Sequence, residues 1–590
     1  MTPTFVSVRS ALTLVSIFGL TSASLLTDLL DDLTGKRGLA AAVAASSSVG
    51  ACASAIPVTV TVTERAEATS VSSSASSTTA LATSTSVSAS STLATASATS
   101  GTVVLPYATY AAELNETYSF YKYSNIRFAD PPTGNLRFKN PTAVSTVNTT
   151  IQDGSYGQTC YQLEQGSNSG AANQGEDCLF LDVVVPENIP AGTTLPVLFY
   201  IYGGGWHTGQ KEIYDGSDLV ITSNNSVIYV IPNYRLGSFG FLGQFGDANP
   251  GTMDQLFAMN WVQDYIHLFG GDPDRVTVAG HSAGAGCLVT HLVSNGGEGS
   301  VPFQQAVVMS PAVTQTFPEV IAARNLAMLE YFGYENYTQA EILALDAQAI
   351  NDMTGHIGSG GWGPIIDGDY YREMPGLAFA NGRYHSNLSL ITGQLADEAH
   401  DFTPTVSPYI IDSSSDIRNM TYDTEAQMET FFTEIGFTLN TSQINEAWSL
   451  YPTINNTDLY YTMFGKYDRI ASELMFDCYS YYMSNAYSVV YGWYFDVPPS
   501  YHAQENPYLF AEGTGTGGSS SYAINATLST YMKTYLVSFT MGNINTDSSI
   551  PTWEPYSIAQ QNIELGDTNV GMIADPSNND RCVFWQTNSS

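Results

Sequence analysis

Apolar residues along the chain gather in short runs: Pro196-Val-Leu-Phe-Tyr-Ile201, Val227-Ile-Tyr-Val-Ile231, Arg275-Val-Thr-Val-Ala279, Ala306-Val-Val-Met309, Leu388-Ser-Leu-Ile391 and Val489-Val-Tyr-Gly-Trp-Tyr-Phe495. Compact runs without polar alternation predict strands buried on both faces. Between them, the stretches Met253 to Phe269 and Ala283 to Ser294 have helical character. Alternating strands and helices predict an α/β fold with a large, mostly parallel central sheet and helices on both faces. In that architecture ligands sit beyond the carboxyl ends of the strands.

This pattern begins only after Gly101. From Thr69 to Ser100 the chain is almost wholly Ser, Thr, Ala and Val, too poor in apolar surface to offset chain entropy, which predicts an extended, O-glycosylated stalk. Leu25 to Leu33 could form a short amphipathic helix, and Lys36-Arg37 after it resembles a convertase site. Residues 1–23 carry Arg9, the apolar run Ala11 to Leu20 and the small-residue pattern Thr21-Ser-Ala23, the layout of a secretory signal. The expected organisation is a signal peptide at 1–23, a propeptide-like and stalk region at 24–101, and one globular domain at 102–590.

Composition narrows the partners. Nineteen Lys+Arg against 55 Asp+Glu leave a net charge of -36, which repels nucleic acid and anionic lipid alike. No later apolar stretch is long enough to span a membrane. Export is also implied by Asn-x-Ser/Thr triplets opening at Asn115, Asn148, Asn224, Asn336, Asn387, Asn419, Asn440, Asn455, Asn525 and Asn588. In an exported chain the six cysteines invite pairing. Cys160 and Cys178 enclose a Gly/Ser/Asn-rich loop, Cys478 with Cys582 is a possible second bridge, and Cys287 is the expected free thiol.

The chemistry concentrates at Gly280-His-Ser-Ala-Gly284, a G-x-S-x-G pattern between a strand expected to end at Ala279 and a helix expected to start near Ala283. Glycines two places either side of Ser282 let strand and helix approach closely and hold the hydroxyl in a strained turn. A serine attacks only if a base takes its proton and a pocket holds the negative oxygen that forms. Tyr202-Gly-Gly-Gly-Trp206, after the strand ending at Ile201, could supply amide donors from Gly204 and Gly205, joined by that of Ala283. The bland alternative is a flexible glycine turn.

Four longer segments carry a resemblance. Phe128-Ala-Asp-Pro-Pro-Thr-Gly-Asn-Leu-Arg-Phe138, Glu176-Asp-Cys-Leu-Phe-Leu-Asp182, Asn233-Tyr-Arg-Leu-Gly-Ser-Phe-Gly-Phe241 and Asn260-Trp-Val-Gln-Asp-Tyr-Ile-His-Leu-Phe-Gly-Gly-Asp-Pro273 resemble the successive signatures of the type-B carboxylesterase/lipase family, the cholinesterase-like α/β-hydrolases. Together with the expected signal and stalk, they resemble its secreted fungal members. The resemblance implies an α/β-hydrolase catalytic domain and a Ser-Glu-His triad. Gly393-Gln-Leu-Ala-Asp-Glu-Ala399 aligns Glu398 with the family's acid, and His502-Ala-Gln-Glu-Asn-Pro-Tyr-Leu-Phe510 supplies His502. The order Ser282, Glu398, His502 is also the order α/β-hydrolases use.

Asp397 is the alternative acid. His281 adjoins the serine, but neighbours in a tight turn point in different directions, and His267, His291, His356 and His385 lack a matching context. Three departures from the family pattern stand out: His281 replaces a common glutamate, and Ala399 and Ala503 replace usual glycines. A family disulfide between the serine and acid regions has no cysteines here.

The resemblance therefore implies ester hydrolysis through an acyl-enzyme on small-molecule esters, with no metal or cofactor and with oligomeric state left open. Relatives acting on fat droplets carry a long amphipathic lid, whereas Tyr161 to Gly175 is short, polar and glycine-rich, favouring dispersed or bulky esters over emulsified triglyceride. The alternatives are a lipase or sterol esterase of the same family, amide or carbamate cleavage at the same site, and a non-catalytic cholinesterase-like binding module.

Overall fold

The computed structural model describes residues 101–163, 173–357, 361–403, 437–452, 463–510 and 524–588, with positions 431, 432, 435, 459 and 460. The expected signal peptide, stalk and Cys52 lie outside the described residues, as do residues 164–172 of the segment compared with a lid.

Eleven strands form one sheet: β1 (Glu113–Asn115), β2 (Phe120–Arg127), β3 (Phe180–Pro186), β4 (Leu195–Ile201), β5 (Ile228–Pro232), β6 (Gly271–His281), β7 (Gln305–Met309), β8 (Ser389–Leu395), β9 (Val489–Asp496), β10 (Gln561–Gly566) and β11 (Val570–Ala574). Their spatial order is β11-β10-β9-β8-β7-β6-β4-β5-β3-β2-β1. Strands β4 to β10 run parallel to one another, while β1, β2 and β3 at one edge and β11 at the other join by antiparallel pairs. The six apolar runs all lie in the parallel part, and β4, β5 and β7 are almost wholly buried, as helices on both faces require.

The edge strands escaped the pattern for identifiable reasons. Strand β2, Phe-Tyr-Lys-Tyr-Ser-Asn-Ile-Arg, is broken by an irregularity between Tyr123 and Ile126, and β10 carries polar residues at half its positions. Strand β3 is buried throughout yet contains Asp182, whose carboxylate sits 2.8 Å from the buried Lys211 Nζ. A paired charge offsets part of the desolvation penalty that makes an acid look foreign to a core.

The family-like segments turn out to be held together by ion pairs. Arg137 grips Glu176 through two contacts of 2.7 and 2.6 Å, joining the first segment to the second. Arg235 binds Asp254 through two more, at 2.8 and 2.7 Å, with both side chains buried. Asp254 lies in helix α1 (Pro250–Tyr265), which opens with proline at its first turn and leads into the 3-10 turn Ile266–Phe269.

Both expected bridges are present, Cys160–Cys178 and Cys478–Cys582. Among the described residues Cys287 is the free cysteine. It is buried, accepts a hydrogen bond from Trp206 Nε1 at 3.3 Å, and burial pushes its thiol up to about 11, so it is protonated and inert at neutral pH. No helix among the described residues is long and apolar enough to cross a membrane.

Candidate active site

Strand β6 runs to His281, two residues beyond the end expected from its apolar run, and helix α2 (Ala283–Leu292) starts directly after Ser282. Ser282 adopts φ 57° and ψ -127°, a conformation that costs an L-residue about 1–3 kcal/mol and persists only when the surroundings over-determine it. They do so here. The Ser282 amide donates to Met309 O at 3.0 Å, and its carbonyl accepts from Gly286 and Ala312. A Cβ on Gly284 would lie 2.2 Å from Ile201 O, and one on Gly280 would lie 2.8 Å from the Gly284 backbone. The glycines are therefore demanded by strand-to-helix contact.

The strand ends beside β6 bring in the other groups. Glu398 follows β8, and His502 follows β9; both strands lie on the same side of β6 in the sheet. His502 Nε2 is 2.7 Å from Ser282 Oγ, and Nδ1 is 2.6 Å from Glu398 Oε2. Glu398 is fully buried, and its second oxygen accepts from the Leu395 amide at 2.7 Å. A carboxylate held by a backbone donor and an imidazole is fixed in position. Phe402 and Phe476 face the His502 ring at 5.0 and 4.8 Å between centroids, forming apolar walls.

Gly203 to Trp206 turn beneath the serine. A Cβ on Gly203 would lie 2.8 Å from Ser282 Cβ, so the glycine turn and the serine turn are in direct apposition. The Gly204 carbonyl accepts from His207 and Thr208, while the Gly204 and Gly205 amides donate to no backbone carbonyl. Gly204 holds φ 115° and Gly205 φ 59°. Ala283 opens α2, where its amide has no preceding turn to bond.

The competing residues face elsewhere. Asp397 turns toward His400, at 3.7 Å, and toward Asp468. His281 turns to a different acid, with Nε2 3.0 Å from Glu505 Oε1, a close contact rather than an aligned hydrogen bond. Its Nδ1 meets Asn506 Nδ2 at 3.3 Å, and its ring lies 5.0 Å from that of His502. Burial alone raises the Glu505 carboxyl; His281, followed by His502, outweighs it and holds Glu505 below its ordinary range. This second carboxylate–imidazole pair was missed by sequence reasoning. Its signal was there: an acid inside the His502 segment and a histidine where a glutamate is usual.

Of the other histidines, His291 is buried against Tyr370 and Gln255 and is pushed down to about 3 by burial, and His385 contacts Ser294. Ala399 is buried and donates its amide to Ser472 Oγ. Ala503 has φ 69°, the left-handed region that glycine would occupy without strain. Ala503→Gly is accordingly expected to raise stability by up to about 1 kcal/mol, read as a shift of the urea midpoint; an unchanged or lower midpoint would mean the loop tolerates the methyl.

Known proteins share this arrangement of chain. A model of the carboxylesterase family matches residues 109–585. The chain belongs to that family. It is 28% identical over 554 residues to a carboxylesterase of Aspergillus clavatus, covering 81% of this chain and 94% of that protein. An acetylcholinesterase of Bungarus fasciatus is 32% identical over 309 residues, 48% of this chain and 50% of that enzyme. The crystal structure of Aspergillus niger EstA aligns over 82% of this chain and 98% of its own at TM-score 0.70 and 27% identity. The fold is that of the α/β-hydrolases, and the protein is a carboxylic ester hydrolase acting on small-molecule esters.

Proposed function

We propose that the enzyme works through an acyl-enzyme on Ser282, with His502 as base and acid, Glu398 as the orienting carboxylate, and the amides of Gly204, Gly205 and Ala283 as the oxyanion cradle. The reading rests on the unbroken contact from Glu398 through both nitrogens of His502 to Ser282 Oγ. Glu398 accepts the Nδ1 proton, so Nε2 keeps a lone pair toward the hydroxyl. As Oγ attacks the ester carbonyl, Nε2 takes its proton and the carbonyl oxygen gains charge between the three amides. Collapse expels the alcohol, which leaves with the Nε2 proton. Water then repeats the attack on the acyl-serine and releases the acid.

Dispersed or bulky esters are favoured over emulsified triglyceride, because the sequence from Tyr161 to Gly175 is short, polar and glycine-rich. Secretion is part of the same reading. It is supported by two disulfides and by exposed acceptors at Asn148, Asn224, Asn336, Asn387 and Asn440. The expected organisation, a cleaved leader and a Ser/Thr-rich stalk before a catalytic domain from residue 102, completes it.

Hydrolysis of dissolved aryl and alkyl esters graded in acyl length, run beside a triglyceride emulsion, tests the substrate reading. Turnover is expected on the dissolved esters below their solubility limit. A rate that appears only with the emulsion would assign the enzyme to the lipases. Labelling of Ser282 by a fluorophosphonate is expected as well, and its absence in folded protein would favour a non-catalytic binding module.

A further inference from the structure

A second group of chemistry-bearing side chains lies behind the acid loop, where the proposed mechanism does not use it. Asp397 and His400 stand on the turn after β8, and Asp468 faces them from helix α3 (Met463–Ser472). One carboxylate oxygen from each aspartate and one ring nitrogen of His400 all lie within 4.8 Å of one another. Asp397 Oδ2 and His400 Nδ1 are already 3.7 Å apart, close to the roughly 3.3 Å that two donors keep around a tetrahedral metal with bonds of about 2.0–2.1 Å.

An independent observation singles out Asp468. It is 6% exposed, and its Oδ1 has no hydrogen-bond partner. Its carboxylate also meets that of Asp397, which brings two acidic oxygens to one point. The neighbouring Arg469 attracts Asp468 but makes no hydrogen bond to it, since its Nη1 is committed to Asp477 at 3.2 Å and its Nη2 to Ala396 O at 3.1 Å while its Nε has no partner. A cavity of about 370 Å³, lined by Asp397, Asp468, Arg469, Asp496 and Ser500 among others, opens at the group and gives an ion a way in.

His400 is oriented for ligation. Its ring stacks on Tyr501 at 3.9 Å and 12°, with the edge of Phe464 at 5.1 Å, which fixes the ring plane and leaves the in-plane nitrogen lone pairs free to point at the carboxylates. We propose that Asp397, His400 and Asp468 form a binding site for a divalent zinc-like ion, with water in the fourth position. One imidazole with two carboxylates suits zinc, whereas calcium and magnesium demand six or more oxygen donors. The site is structural. Asp397 adjoins Glu398, so the ion ties the acid loop to α3, and the Asp397 amide, which donates to Ser500 O, links that loop to the one carrying His502.

Tag-free full-length protein, stripped with a chelator and titrated with zinc chloride by calorimetry, tests this. One equivalent of zinc is expected to bind and, at about a hundredfold excess over Kd, to raise Tm by about 4 °C. Calcium and magnesium should leave Tm unchanged. His400→Ala, at a half-buried position outside the triad, is expected to weaken zinc binding about tenfold or more and, at the same zinc concentration, to cut the Tm shift to half or less; Asp468→Asn should do the same if it folds. The proposal is overturned if wild-type protein takes up no zinc, which would leave a shared proton between the aspartates, if His400→Ala titrates like wild type, or if calcium binds equally well. Because binding and Tm are the readouts, failure here is separate from failure of the triad.

Discussion

Ser282→Ala is expected to lower kcat by about 10⁶-fold while leaving the folded protein intact. The hydroxyl makes one side-chain contact, to His502 Nε2, so its loss costs the fold no other partner. Alanine also has the same backbone requirement as serine at φ 57°, and the glycines that define the turn are untouched. Stability should therefore stay within about 1 kcal/mol of wild type. His502→Ala should be as damaging, and the double variant no worse than either single one, because the proposed mechanism gives the two side chains one proton transfer to perform. Burst-phase kinetics with an aryl ester, paired with a thermal melt, decides the matter. A folded Ser282→Ala variant that still turns over near the wild-type rate would remove Ser282 from the mechanism.

Glu398→Gln should cost about 10⁴-fold in kcat, more than the loss of one charge suggests, because the structure dictates which way the new amide points. The Leu395 amide donates to Oε1, so the glutamine oxygen must take that place. Its NH2 group then faces His502 Nδ1, which sits 2.6 Å from the second carboxylate oxygen. Nδ1 is forced to accept, the proton moves to Nε2, and the base is presented to Ser282 as a donor. Asp397 cannot substitute, since its carboxylate is turned to His400 and Asp468. Steady-state kinetics on a dissolved ester reads the effect. A loss below about tenfold would mean that the imidazole keeps its tautomer by another contact and that Glu398 does not orient it.

The parts of the molecule legible in the sequence are those set by near neighbours along the chain. Apolar runs located the central parallel strands, because strands buried on both faces tolerate few polar residues. The G-x-S-x-G turn and the three glycines after β4 were legible because a close backbone approach excludes any side chain, and the structure puts Gly203 and Ser282 in contact. The edge strands were not legible. Asp182 in β3 reads as a break until Lys211 is known to stand beside it, and β2 and β10 have one wet or irregular face.

Residue types and their order along the chain determined by themselves an α/β fold, a serine held in a strained strand-to-helix turn, and the small set of acids and histidines able to serve it. Tertiary structure alone decided the partnerships: Glu398 rather than Asp397 on His502, His281 with Glu505, and Asp397 with His400 and Asp468. Adjacent residues in a turn project to opposite sides, so one step in sequence separates an acid on the serine's imidazole from an acid facing a different histidine. Which side meets which partner is set by strands that pack next to one another only after long intervening segments have folded.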